Sequence, residues 1–387
     1  MEHPHDLVGA IPERLDPRDV RRLSVLAPAR AIAAITVEWS ILALAIAVAT
    51  LVDAWPVTLL AVVVIGARQH ALTVIAHDAA HFRLLPHRQL NDWVGNVLLA
   101  WPMFISVQGF RHYHGDHHRH LNREGDGNRA LWNTHDAEGR FTWEWRYPKT
   151  PLLYALKLAR RVFLLTGLFW IVRGLIGGFM FGVSLPGHVV RLLLWAAVAW
   201  LLTVFDAWPE FLLYWVVPYC TWHIAAQYIR LTCEHSAIQS EDPRYADTRT
   251  TIPGWIGRFL VLPRNIGYHI EHHWYPSVPF YRLPELHALL AQRPGFRAHA
   301  HCERSILDSL RQCMTPGIRE LTGGEDSLDP KTDTGDHRHL HRLPSFATAP
   351  AAESLPGLAA QGRHQDRQDC RLGAVRGQSR PGRDGLG

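Results

Sequence analysis

Two pairs of long apolar runs, each joined by a link of only a few residues, constrain this chain more than any other feature. The first pair is Ala31–Val52 and Val57–Ala76, linked by Asp53–Pro56; the second is Val189–Phe205 and Phe211–Ile229, linked by Asp206–Glu210. Each run approaches the ~20 residues that cross a bilayer as a helix. Links this short force each pair into a helical hairpin. The chain is therefore expected to be an all-α integral membrane protein, with four transmembrane helices in two hairpins. Overall composition conceals this, because the hydrophobic fraction of 48% is ordinary for a soluble protein. The 15 tryptophans fit amphipathic rings at a membrane–water interface.

Charge orients the hairpins. Neither link contains Lys or Arg, whereas Arg14, Arg18, Arg21, Arg22 and Arg30 precede the first run and the stretch from His77 to Gly187 is rich in Arg. By the positive-inside rule both ends and the long middle region are cytoplasmic. No signal peptide is expected in Met1–Arg30, which is charged and lacks an apolar stretch. Phe163–Val183 is long enough to span but carries Arg173 at its centre. An uncompensated arginine at mid-bilayer costs at least ~2.5 kcal/mol, so this segment is read as an interfacial helix pair. The domains expected are a cytosolic segment over 1–30, a membrane domain with a cytosolic histidine-rich cap over 31–315, and a disordered tail over 316–387. The tail is rich in Gly, Pro, Arg, Asp and Ser and too poor in large apolar residues to offset ordering entropy. Its His337–His341 tract is read as an appendage without a catalytic role.

Three histidine clusters, drawn from 25 histidines in all, carry the chemistry. His77 and His81 stand four residues apart at the end of the second apolar run. His114, His117 and His118 form the second cluster, and His269, His272 and His273 the third. Spacings of three and four place imidazoles on one helical face. Eight imidazoles on one membrane side suffice for two metal ions. Imidazole binds Zn, Cu, Fe and Ni, so ligand type alone does not name the metal. The five cysteines match no zinc or redox spacing and are expected to be reduced thiols. The metalloprotease pattern H-E-x-x-H is absent, since Asp78 follows His77. Soluble di-iron bundles use glutamates where this set is almost purely histidine.

Beyond the boxes, His235 follows the last run closely and enters as a ninth ligand or as a capping polar residue. In the first case Cys233 and Glu234 point elsewhere. Asn265 lies four residues before His269 and would hold a metal-bound water or orient a ligand if the helix extends that far. Asp78, Asp116 and Glu271 lie inside the boxes, either as acceptors behind the ligand histidines or as surface charges pairing with arginine. His70, His112, His120, His135, His223 and His287 are read as packing or surface residues. No residue beyond the metal ligands is assigned a catalytic role.

The order H-x-x-x-H, H-x-x-H-H, H-x-x-H-H, with a hairpin between the second and third boxes, resembles the membrane fatty-acid desaturase superfamily, which also includes hydroxylases and carotenoid ketolases. Leu90–Trp93, Arg249–Thr251, Asn265–His273 and Tyr275–Pro279 are similar as well, and the resemblance covers about Arg30 to Leu290. It implies four spans, a cytosolic cap carrying the boxes, two irons, molecular oxygen as co-substrate and desaturation of a fatty acyl chain of a lipid. Hydroxylation or ketolation of a lipid or carotenoid is the alternative. No C-x-x-C-H haem attachment is present, so the electron donor expected is a separate ferredoxin- or haem-type protein with its reductase. No nucleic-acid partner is expected. A membrane metal transporter is the non-enzymatic reading, disfavoured because the boxes fall outside the spans whereas transporter sites sit near the midplane.

Overall fold

The computed structural model describes residues 11–121, 126, 150–180, 183–236, 238, 240, 242–245 and 247–314. The tail from 315 onward, with its histidine tract, and His135 lie outside the described residues.

The chain is mostly helical. Three helices are long and apolar enough to cross a membrane: α1 (Pro28–Val52), α2 (Trp55–Ala80) and α6 (Leu185–Val204). Their outward faces carry large exposed apolar side chains such as Leu44, Leu51, Leu59, Leu60, Leu193 and Trp200. These faces suit hydrocarbon, which solvates apolar side chains but not backbone. Proline opens each helix at the first or second position, where its missing N–H costs nothing. At the two short links the chain reverses on Asp53 (φ 45°) and Asp206 (φ 49°), both left-handed. Asp tolerates that conformation better than most residues, which is why each run stops where it does.

Between α2 and α6 lie α3 (Val107–Arg119), α4 (Pro151–Val162) and α5 (Leu164–Met180). The last two are bent by 67° at Phe163. If that bent pair counts as one span, the membrane-length helices number up to four. The run expected from Phe211 to Ile229 is helical from Trp208 through α7 (Ile224–His235), but two π turns, Leu212–Val216 and Tyr219–His223, interrupt its α register. Pro218 lies between them and has no N–H to give. Gln69 Nε2 donates to the Trp215 carbonyl (2.9 Å) and the Thr221 hydroxyl to that of Val217 (2.7 Å). Side chains thereby take up carbonyls that a regular helix would satisfy. At Gly66 an added Cβ would lie 2.7 Å from Trp222 Cβ, and at Gly167 2.2 Å from Cys220 Cα. These two glycines let α2 and α5 approach the π-turn segment closely, as small residues do in membrane bundles.

The segment after α7 is built from short elements. Strand β1 (Thr250–Thr251) pairs in parallel with β2 (Cys302–Glu303), and α8 (His269–Trp274) and α9 (Leu283–Leu290) pack beside them. Cys220, Cys233 and Cys313 are buried free thiols.

Candidate metal centre

The helix ends that present histidine are fixed by buried polar contacts. At the end of α2, Arg111 donates Nε to the Ala80 carbonyl (2.7 Å) and Nη2 to that of Ala79 (3.1 Å), while Asn91 Nδ2 also reaches Ala79 (2.9 Å). Asp92 holds Arg111 in place at 2.6 Å. At the end of α7 the fully buried Arg249 donates to the carbonyls of Cys233 (2.9 Å) and Ser236 (3.2 Å). A guanidinium at a helix C-terminus satisfies orphan carbonyls and opposes the negative end of the dipole. In α8, Glu271 accepts from Thr250 Oγ1 (2.6 Å) and pairs with His287 Nδ1 (2.5 Å), pinning the third box to β1 and α9.

The result is a convergence of nine imidazoles in two groups. His77, His81, His114, His118 and His272 form one; His117, His235, His269 and His273 form the other, and within each the ligand atoms lie within 4.8 Å of one another. His118 Nε2 lies 2.9 Å from His114 Nε2 and 3.0 Å from His272 Nε2. His269 Nε2 lies 2.8 Å from His235 Nε2 and 3.1 Å from His273 Nε2. Two nitrogens each ~2.1 Å from one ion at right angles stand ~3 Å apart, so this spacing fits shared metal ligation. Both ring nitrogens of His77 and Nε2 of His81 are buried without a hydrogen-bond partner among the described residues. Burial first, and the neighbouring imidazoles second, push His114, His272 and His273 well below the ordinary histidine pKa. His118 and His269 shift the same way for the same reasons. They are held neutral, the form that binds a metal.

The sequence-derived site residues divide. All eight box histidines come together, and His235 joins them: its Nδ1 faces the Asp247 carbonyl at 3.2 Å, which leaves Nε2 for the cluster. The expectation for Asn265 does not hold, because α8 starts only at His269. Arg264 (φ 52°) and Asn265 (φ 60°) form a left-handed turn, and Asn265 Nδ2 donates to the Phe280 carbonyl (3.1 Å). Asp78 accepts from the Phe280 N–H (2.8 Å) rather than backing a ligand ring directly, although it lies 3.7 Å from His77 Nδ1. Asp116 is not behind a histidine. It pairs with Arg119 at 2.6 Å one turn along α3, on a solvent-accessible face. Glu271 supports His287 and Thr250 instead of a box imidazole. Glu234 does not point elsewhere: it is buried, 3.4 Å from His269 Nδ1, and accepts Arg230 Nε at 2.7 Å.

Sequence reasoning missed Asp126, whose oxygens lie 3.0 and 3.1 Å from His117 Nδ1. Both side chains are almost fully buried. A carboxylate there fixes the His117 tautomer and strengthens the ligand. Asp126→Asn is expected to weaken metal retention by the four-histidine group about 10- to 100-fold. Titration of purified protein with a competing chelator checks this, and retention equal to that of the unmodified chain would exclude the role. Glu38 was also missed. It is 1% exposed and receives Arg68 (3.0 Å) and Arg264 (2.6 Å), tying α1 to the turn before the third box.

A helical chain with membrane-length helices and two buried polyhistidine groups fits a membrane protein whose histidines could hold metal ions. Residues 53–304 match the family model for fatty acid desaturases, and the chain belongs to that family; it is an oxidoreductase. Dihydrorhizobitoxine desaturase of Bradyrhizobium elkanii is 29% identical over 253 residues, which cover 60% of this chain and 68% of the relative. The sn-1 oleoyl-lipid 12-desaturase of Anabaena variabilis is 23% identical over 250 residues, covering 58% and 66%.

Proposed function

We propose that this chain is a di-iron desaturase that introduces a double bond into a fatty acyl chain, with its metal centre on the cytoplasmic face of a four-span bundle in which Trp208–His235 forms the last span. One observation carries the reading: a cavity of about 170 Å³ is lined by His114 of the five-histidine group and by His117, His235 and His269 of the four-histidine group. A substrate in that cavity lies against both sites at once. Two bound irons would supply the oxygen-activating chemistry, one held by each group. Overall, a –CH2–CH2– unit, one O2, two electrons and two protons give –CH=CH– and two waters, the electrons coming from a separate redox protein.

The chain's own residues keep the imidazoles neutral and oriented and keep the centre dry. His117 is oriented by Asp126 and His235 by the Asp247 carbonyl. His269 faces Glu234, which Arg230 in turn fixes. Phe110 stacks on His114 with centroids 5.2 Å apart and seals one wall.

Expression of the full chain followed by profiling of cellular acyl chains tests the proposal. New unsaturation is expected with the unmodified chain and none with His272→Ala, and the purified protein should hold about two irons per chain. Hydroxylated or ketonic products without alkenes, or full activity with stoichiometric zinc, would overturn it.

A further inference from the structure

Glycine inside a helix is destabilising relative to alanine unless something requires the missing side chain. Helix α5 contains Gly167, Gly174, Gly177 and Gly178. Packing accounts for three of them. An added Cβ at Gly167 would strike the Cys220 backbone, and one at Gly174 would lie 2.9 Å from the Phe104 carbonyl oxygen. At Gly178 it would strike the buried guanidinium of Arg191. Gly177 has no such neighbour among the described residues. The nearest atoms to its added Cβ are Cε2 and the hydroxyl oxygen of Tyr113, both at 3.8 Å, an ordinary van der Waals distance. Packing alone would therefore accept alanine there.

What Gly177 leaves open is part of the cavity that touches both histidine groups, since Gly177 and Tyr113 both line it. Much of the wall is apolar, supplied by Met103, Ile105, Phe110, Trp170, Ile224 and Leu231, and suits a hydrocarbon chain. The position relative to the histidines follows from α3. An added Cβ at Gly109 would stand 3.3 Å from the Gly177 carbonyl oxygen, so α5 crosses α3 there. Gly109 precedes His114 by five residues, a rise of ~7.5 Å along the helix. We infer, resting on the desaturase reading above, that Gly177 is a specificity-determining position. With Tyr113 opposite, it keeps open the passage into which the substrate chain extends away from the reacting carbons, and so sets how much hydrocarbon is accepted on that side. A side chain at 177 narrows the passage from one wall. Long chains then lose their place, whereas short chains held beside the histidines do not meet the substitution.

The test uses the full-length, metal-loaded protein and four probes: methyl octanoate, methyl laurate, methyl palmitate and methyl stearate. Calorimetric titration gives affinity as a function of chain length. Gly177→Leu is expected to weaken the longest ester at least about tenfold, the effect of excluding two or more methylenes, and to leave methyl octanoate within about twofold. Gly177→Ala should shift the profile in the same direction by less. Adding Tyr113→Ala to Gly177→Leu should recover long-chain binding, because it vacates the facing wall; damage to the fold would not be reversed by trimming a second side chain. Metal content and thermal unfolding are measured in each variant. Gly177→Ala should unfold at no lower a temperature than the unmodified chain, whereas Gly174→Ala should unfold lower. If Gly177→Leu loses metal or does not fold, the length profile of Gly177→Ala decides. Uniform weakening of all four esters, an unchanged length profile, or a lower unfolding temperature in Gly177→Ala overturns the inference. Turnover separates it from the function it rests on. A shifted binding profile with no unsaturated product removes the desaturase reading alone, whereas unsaturated products of the same chain lengths from all variants remove this inference alone.

Discussion

His235→Ala is expected to lower turnover by more than about 100-fold and to release about one of the two metal ions per chain. The His235 ring lies 4.7 Å from that of His117, 4.6 Å from His269 and 5.2 Å from His273. Its loss leaves three imidazoles where four converge. The five-histidine group contains no atom of His235, so its metal should remain. Selective depletion separates a ligand from a packing residue, whose loss would lower stability without halving the metal. His120→Ala, at an exposed residue directly after α3, serves as control and should change stability by only ~0.5 kcal/mol. Metal analysis and turnover on the same preparations decide the matter. Near-normal values for both in His235→Ala would leave the eight box histidines as the whole imidazole set.

The second large effect is expected at Glu38, far from the histidines in sequence. Glu38→Ala leaves Arg68, with 5% of its side chain exposed, without a counter-charge among apolar neighbours. Removing one member of a buried ion pair costs about 3–5 kcal/mol. Glu38 also accepts Arg264 Nε, and Arg264 donates Nη2 to the Ala34 carbonyl (3.0 Å). That pair holds two consecutive left-handed residues immediately ahead of the third box. Non-glycine residues in this conformation cost of order 1–3 kcal/mol each and persist only where surrounding contacts enforce them. A large fall in thermal stability in detergent, accompanied by lower metal content, is therefore expected. Glu38→Gln should fall between, since it keeps an acceptor and loses the charge. Unchanged stability and metal content in Glu38→Ala would show that the triad is dispensable.

Much of this was legible in the sequence because helical spacing is a local property. His77 with His81, and the H-x-x-H-H pairs, announce a shared face without knowledge of the fold, and the apolar runs announce three of the membrane-length helices. What stayed hidden depends on where the chain turns. Asn265 shares a spacing of four with His269, but the backbone between them is a left-handed turn rather than a helix. Asp126 lies nine residues from His117, in a stretch without periodicity that could pair it. Glu234 was assigned away from the metals because its neighbour His235 faces them, yet the carboxylate reaches back to His269. Glu38 did carry a signal, a lone acid in an otherwise apolar run. Its partner Arg264 lies 226 residues away, a distance no local pattern bridges.

His117 and His118 are adjacent in the chain but serve opposite groups, and so do His272 and His273. Their ring centroids stand 6.0 and 5.6 Å apart. The gap between the two histidine groups is thus set by peptide bonds inside α3 and α8, not by how closely the helices of the bundle pack. Breathing of the bundle or a change of bilayer thickness can tilt the two groups together. Neither can readily stretch the gap, which behaves as a covalent ruler carried by two independent helices.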